Sequence, residues 1–327
     1  MRIVSETLDD LQFRVLKQLL ERPHHVIQAT RGHARELSGA CLVLKNPRAR
    51  LGRGIRQGRL FSSLGEVLWY LAGTDDLEFI AYYIAKYREE SSDGMTVRGA
   101  YGKRLFHNGQ LYKVIALLRE KSTSRRAVVQ LFRQTDLRNR TEVPCTISIQ
   151  LLVRNSKLDM IASMRSNDAF MGLPHDIFAF TMIQEIVARE LGISVGRYTH
   201  FVGSLHLYQN DEKKASAFVR DGYQRRQGMP AMPVGSPRPA IRILLDAEKS
   251  IREHGKLPDK LASIESYWMD FMLLLLAFSR IKRRDYKGAR RLKSKLSTNF
   301  YDRYIDLRAP TERTDEPEPT QSALELG

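Results

Sequence analysis

The dipeptide Pro144-Cys145 lies in the run VPCTISIQLLV, and Cys145 is one of only two cysteines in 327 residues. A thiolate attacks electron-poor carbon, and cationic neighbours lower the pKa that governs how much thiolate is present. Downstream comes RSNDAFMGLPHD, dense in phosphate-binding and amide-type groups, and upstream comes Ser124-Arg125-Arg126. Guanidinium groups suit phosphate because their planar fork donates two parallel hydrogen bonds. The set predicts a cysteine nucleophile, its thiol pKa lowered by arginines, acting on a phosphorylated substrate.

These groups must be positioned by regular elements. In the run after Pro144, Cys145, Ile147, Ile149 and Leu151 alternate with Thr146, Ser148 and Gln150, which predicts a strand over 145–153 with the cysteine on the apolar side. Further strands are expected over 37–45, 127–133, 157–164 and near 198–207, and helices over 6–22, 62–72 and 177–191. In the first helix Leu8, Leu11, Val15, Leu16 and Leu19 recur at helical spacing. A mostly helical stretch runs on to Tyr87 and a polar loop follows it. After about residue 212 a Gly/Pro-rich segment, QGMPAMPVGSPRP, breaks the chain, and helical periodicity returns from Ala240 to about Leu307. The reading is a core over 1–212, a mostly helical part of the same domain over 213–307, and an acidic, proline-containing tail over 308–327 expected to be disordered.

Composition narrows the class. Cys41 and Cys145 give no disulfide framework, and acids stand where a signal peptide would carry positive charge. The longest apolar run, Phe271 to Phe278, is too short to span a bilayer. A soluble cytoplasmic protein is expected, with no membrane partner and no metal site. The net charge of +16 invites a nucleic-acid hypothesis. It is concentrated in 48–59 and 282–295, however, without zinc-finger spacing, RNP-type aromatics or a glycine-rich phosphate loop. Nucleic acid is therefore not expected as the main ligand.

Seven segments in order, Arg31-Gly32, GEVLWYLAG, Tyr101-Gly102-Lys103, Ser124-Arg125-Arg126, Pro144-Cys145, RSNDAFMGLPHD and HFVGSLHLYQND, make the region from about Arg31 to Asp211 resemble the thymidylate synthase superfamily. The resemblance implies a mixed α/β fold whose twisted sheet packs back-to-back in a homodimer with shared active sites. It implies a pyrimidine nucleoside monophosphate as substrate and 5,10-methylenetetrahydrofolate as cosubstrate. Cys145 would add to C6 of the base, making C5 a nucleophile toward a one-carbon unit. Arg165 and Ser166 would bind phosphate from the same subunit, Arg125 and Arg126 from the partner, and Arg31 from a mobile segment, with Arg35 competing for that role. Glu66 matches the general acid/base, and its apolar neighbours predict a raised pKa, with Gly65 leaving room for a ligand. His206 and Tyr208 match the pair that reads a sugar hydroxyl. Asp168 and Gly172 match folate-site positions.

Departures from the family pattern bear on the reaction. Asp176 stands where synthases carry asparagine. An amide satisfies uracil O4 and N3–H, whereas a carboxylate accepts from a cytosine amino group and a protonated N3. Cytidylate hydroxymethylases of this superfamily carry Asp there. The competing reading is that Asp176 caps a helix starting near Ile177. The segment IAKYREESSDG lacks the synthase tryptophans, Thr146 replaces a histidine, and the synthase's carboxy-terminal lid has no counterpart. Each change favours water over hydride at the final step. The expectation is a cytidylate 5-hydroxymethylase acting on CMP or dCMP. The alternatives are a thymidylate synthase or deoxyuridylate hydroxymethylase, and a basic nucleic-acid-binding protein on the same fold.

Overall fold

The computed structural model describes residues 1–310 apart from 30, 53, 55–58, 139–141, 225 and 261–262. The acidic stretch beyond residue 310 lies outside the described residues. In chain order the first elements are β1 (Arg2–Ser5), α1 (Leu8–Glu21), β2 (His25–Ala29), β3 (Gly32–Leu44), α2 (Leu60–Leu71), α3 (Leu77–Tyr83), α4 (Tyr87–Glu90), α5 (Tyr101–Phe106) and α6 (Gln110–Glu120). They are followed by β4 (Val128–Gln130), β5 (Thr146–Arg154), β6 (Lys157–Asp168), α7 (Gly172–Glu190), β7 (Ser194–Tyr208), α8 (Glu212–Arg220), α9 (Arg238–His254), α10 (Ser266–Lys282), α11 (Tyr286–Arg291) and α12 (Asp302–Arg308).

Among the described residues the strands form one seven-stranded sheet, ordered β1-β3-β7-β6-β5-β4, with β2 also paired to β3. The β1–β3 and β6–β7 pairs are parallel and the others antiparallel. This is the mixed α/β architecture expected from the sequence. Helices α1 and α7 lie against β3, β6 and β7. Leu11, Val15, Leu16 and Leu19 of α1 are fully buried, as their spacing predicts. Alternation along β7 buries Tyr198, His200 and Val202 and turns Phe201, 43 % exposed, to the other side.

Two local expectations are corrected. The strand after Pro144 does not alternate evenly. A bulge between Thr146 and Ser148 makes Ile147 the extra residue, so Thr146 is buried and Ile147 is exposed. Beyond the bulge Ile149 and Leu151 return to the core. The second correction concerns α7, which begins at Gly172 rather than near Ile177. Pro174 sits in the first turn, where its missing N–H has no intrahelical acceptor to lose, so it opens the helix instead of delaying it. Asp176 is therefore inside α7 and is not its cap. The turn into the helix is held by Asp168, whose Oδ1 accepts from the backbone N–H of Phe170 at 2.8 Å and Met171 at 3.0 Å.

The helices after residue 237 pack on the same hydrophobic core. Phe278 of α10 stacks on Phe61 and Tyr83 with ring centroids 5.3 and 5.4 Å apart. The Tyr83 hydroxyl donates to Glu248 Oε1 of α9 at 2.9 Å. The sequence reading left the space at Gly65 for a ligand. The structure fills it with the Tyr83 ring, whose Cγ would lie 2.1 Å from a Cβ at that position. No helix among the described residues is long and apolar enough to cross a membrane.

Candidate active site

Cys145 sits at the entrance to β5, half-buried, in a short segment clamped by Arg165 of β6. The Arg165 backbone N–H donates to the Cys145 carbonyl at 2.8 Å. Its guanidinium donates to the carbonyls of Pro144 at 3.1 Å and Val143 at 2.8 Å. The Tyr101 hydroxyl accepts from the Thr146 N–H at 3.1 Å. Cys145 is thus held in a hydrogen-bonded segment between β6 and α5.

The expectation of a lowered thiol pKa does not hold for the single chain. Burial pushes the Cys145 thiol up, and Asp176 and Glu90 add to the rise, while Arg165 and Arg31 pull against it. Desolvation wins because both arginines are partly exposed, where water weakens their charge, whereas the thiol is screened from solvent by protein.

Glu66 lies on α2 and is buried at 5 % exposure. The hydroxyls of Tyr70 and Tyr87 donate to its Oε1 at 3.1 and 2.7 Å. Its Oε2 is buried without a hydrogen-bond partner among the described residues. Burial raises the Glu66 carboxyl to about 7, against the two tyrosine hydrogen bonds. This is the direction its apolar sequence context predicts. A carboxyl that titrates near neutrality and has one free oxygen is equipped to move protons.

Asp176 projects from α7 into the same space. Burial, reinforced by Glu66 and Asp168, raises its carboxyl well above the usual range, and a hydrogen bond from Asn167 opposes the rise. That bond runs from Asn167 Nδ2 to Asp176 Oδ2 at 2.7 Å. Gly172 permits it, since a Cβ at that position would stand 3.1 Å from Asn167 Nδ2.

The structure brings Cys145, Glu66, Asp176, Asp168, Arg31 and Tyr208 into one electrostatic neighbourhood. Register pairs Asp168 with His206 and Ser166 with Ser204 across β6 and β7. Ser166 Oγ lies 3.4 Å from His206 Nδ1, and the His206 and Tyr208 rings meet edge to face at 4.8 Å. Arg31 pairs with Glu90 at 2.5 Å and is acted on by Asp168 and Tyr208. Arg35 instead pairs with Glu212 at 2.7 Å and donates to the Leu20 carbonyl, tying β3 to α8 and α1. Of these two arginines, Arg31 is the one beside the thiol.

Arg125 and Arg126 are not brought to Cys145 within one chain. Both are exposed just before the edge strand β4, where Gln150 Nε2 donates to the Arg125 carbonyl at 2.9 Å. Tyr70, Tyr87, Tyr101, Asn167, Tyr198 and His200 surround the site and were given no role from the sequence, although Tyr70, Tyr101, Asn167 and His200 lie inside the segments that carry the resemblance.

Residues 54–236 match the family model described as thymidylate synthase. The chain belongs to the thymidylate synthase family. It is 35 % identical over 161 residues to a deoxyuridylate hydroxymethyltransferase of Pseudomonas phage M6, covering 47 % of this chain and 46 % of that one. It is 31 % identical over 164 residues to a thymidylate synthase of Symbiobacterium thermophilum, covering 44 % of this chain and 58 % of that one. A deoxyuridylate hydroxymethyltransferase of Bacillus phage SP01 is 31 % identical over 207 residues, covering 57 % and 53 %. The chain thus spans about half the length of the curated relatives it matches.

Proposed function

We propose that the protein is a cytidylate 5-hydroxymethylase, using 5,10-methylenetetrahydrofolate to hydroxymethylate C5 of CMP or dCMP. The observation that carries this reading is Asp176. It is an interior helix residue facing the site with Oδ2 already holding an amide donor, and its Oδ1 takes no hydrogen bond from the described residues. A carboxylate oxygen with free lone pairs suits the exocyclic amino group of cytosine and a protonated N3.

Cys145 would add to C6, with electrons moving to C5. Arg31, Arg165 and Ser166 would hold the nucleotide phosphate, and His206 and Tyr208 the sugar. The unpartnered Oε2 of Glu66 and the carboxylate of Asp168 would supply the polar groups for a reduced pterin. Methylenetetrahydrofolate, when bound, supplies a one-carbon unit at the oxidation level of formaldehyde. Glu66, titrating near 7, would take the proton from C5 and pass protons to and from ordered water. With the one-carbon unit joined to C5 and tetrahydrofolate released as the leaving group when that proton is lost, water would add to the exocyclic carbon and the Cys145 thiolate would leave C6, giving the hydroxymethyl product.

The proposed active unit is a homodimer. Phe201, Ile147 and Val128 are 41–43 % exposed on the sheet strands, an apolar surface suited to a second sheet. The exposed Arg125 and Arg126 are then placed to reach the partner's phosphate site.

A second reading has its own support. Relatives are named deoxyuridylate hydroxymethyltransferases, and a protonated Asp176 would donate to uracil O4. The discriminating experiment incubates the protein with methylenetetrahydrofolate and each of CMP, dCMP, UMP and dUMP, and weighs the products. A gain of one hydroxymethyl group on cytidylates is expected. Hydroxymethylation confined to uridylates makes the second reading the correct one, and a methyl product makes the protein a thymidylate synthase.

A further inference from the structure

Behind Asp176 runs a chain of three buried polar side chains that the proposed mechanism does not use. Tyr198 and His200 are 0 % exposed and Asn167 is 5 % exposed. The Tyr198 hydroxyl lies 2.7 Å from His200 Nδ1, and His200 Nε2 lies 3.2 Å from Asn167 Oδ1. Asn167 Nδ2 then donates to Asp176 Oδ2 at 2.7 Å. Each link has a hydrogen-bonding direction, and only one direction satisfies the chain. If Tyr198 donates to Nδ1, the imidazole proton sits on Nε2 and donates to Asn167 Oδ1, leaving the amide N–H for Asp176. In the reverse arrangement Tyr198 would accept from Nδ1–H, and its own O–H would have no partner among the described residues. The flipped Asn167 would then aim its carbonyl at Asp176, which an ionised carboxylate repels and only a protonated one could meet. A buried donor without a partner is costly, so the forward direction prevails. Burial also holds His200 neutral, its pKa down to about 3, so the ring offers one donor and one acceptor rather than two donors.

We propose that Tyr198, His200 and Asn167 form a positioning relay that fixes Asp176 as a hydrogen-bond acceptor and thereby sets the preference for an amino over an oxo group at C4 of the pyrimidine. The proposal rests on the reading of Asp176 given above. Its physical content is that Oδ2 is committed to an amide donor, so Oδ1 is left to meet the base with its lone pairs. The relay works against strong opposition. Glu66 and Asp168 favour the protonated carboxyl, and Tyr70, Tyr101, Tyr198 and Cys145 are the other titratable groups coupled to it. Without the amide donor, Asp176 is protonated over more of the pH range. It then presents a donor beside an acceptor, the pattern of an asparagine, and accommodates uracil O4.

The test uses the full chain with Asn167→Ala, His200→Leu, His200→Gln and Tyr198→Phe. The Asp176 carboxyl is followed without substrate by its infrared stretch, as the difference against Asp176→Asn titrated with pH. The ratio of kcat/KM for dCMP and dUMP is measured alongside, and thermal unfolding identifies variants that are folded. Asn167→Ala and His200→Leu are expected to raise the carboxyl midpoint by at least about one unit and to lower the dCMP/dUMP ratio at least roughly tenfold. His200→Gln can accept from Tyr198 and donate to Asn167 and is expected to restore both readouts. Tyr198→Phe is expected to move both in the same direction by less. An unmoved midpoint in folded Asn167→Ala overturns the relay. So does a His200→Gln protein no closer to wild type than His200→Leu. If the midpoint moves as expected while the wild type prefers uridylates, the control of Asp176 by the three side chains stands, but the base preference assigned to it falls together with the cytidylate reading.

Discussion

The inner end of the site and its mouth are built on opposite principles. At the inner end, Glu66, Asn167 and His200 are buried and Asp176 is half-buried, hydrogen bonds join His200 to Asn167 and Asn167 to Asp176, and burial raises the Glu66 and Asp176 carboxyls and lowers the His200 imidazole. At the mouth, Arg31 and Arg165 are exposed, with Arg31 paired to Glu90, and Arg125 and Arg126, exposed elsewhere on the chain, would join it only from a partner subunit. A neutral base with few polar atoms has to be read by fixed dipoles, because water would satisfy either pattern equally well. A dianionic phosphate needs only charge and a fork, which work at a wet surface and tolerate motion. Substitutions inside should therefore change chemistry, base preference and pH dependence. Substitutions at the mouth should change apparent affinity and salt dependence.

The largest expected effect lies where the two regions meet. Cys145→Ala is expected to abolish turnover while nucleotide binding by calorimetry stays close to wild type. Normal turnover by this variant would remove the nucleophile assignment outright. The mouth has its own all-or-none test. Cys145→Ala protein mixed with Arg125→Ala, Arg126→Ala protein should recover activity through hybrid dimers if the arginines act across subunits. Demonstrated subunit exchange with no recovered activity rules out supply in trans.

Asp176→Asn should shift the cytidylate-to-uridylate ratio of kcat/KM at least roughly tenfold toward uridylates, because the wrong base leaves a buried polar group unpaired at about 1–3 kcal/mol. An unchanged ratio in a folded variant would mean that Asp176 does not read the base.

Glu66 carries a stability signature that no mouth residue should show. Its folded-state pKa, about 7, lies above the ordinary 4.5. Between these values the folded chain keeps a proton that the unfolded chain has released. Stability from this group is therefore complete at acid pH and falls as pH rises through the window, by roughly 3 kcal/mol in all. Glu66→Gln should remove that slope and be the more stable protein at alkaline pH in urea unfolding, while losing activity. A wild-type slope retained in the variant would place the titration elsewhere.

The smallest effect is expected at the rim. Arg31→Ala should raise the nucleotide KM by about tenfold, with kcat little changed and the salt dependence of kcat/KM reduced. A fall in kcat at unchanged KM would move Arg31 from the mouth to the chemistry.

The sequence was enough to identify the family, the mixed α/β class and most strands and helices, though not β1, β2 or the order of strands in the sheet. Those follow from local pattern: alternation, helical spacing, and a few short motifs whose order survives divergence. It was also enough to anticipate the raised pKa of Glu66, because its own helix supplies the apolar neighbours. Four features were decided only in three dimensions. The first turn of α7 was hidden by Gly172 and Pro174, which suit a helix start, so a capping role for Asp176 stayed open as the competing reading. The bulge at Ile147 depends on pairing with β6, which no alternation within one strand reveals. The thiol of Cys145 went up rather than down because desolvation is a sum over everything packed around it. The relay from Tyr198 to Asp176 joins β7, β6 and α7, and its direction is fixed only where all four side chains meet. Motif order is a property of the chain, whereas protonation and hydrogen-bond direction belong to enclosed space, which only the tertiary structure creates.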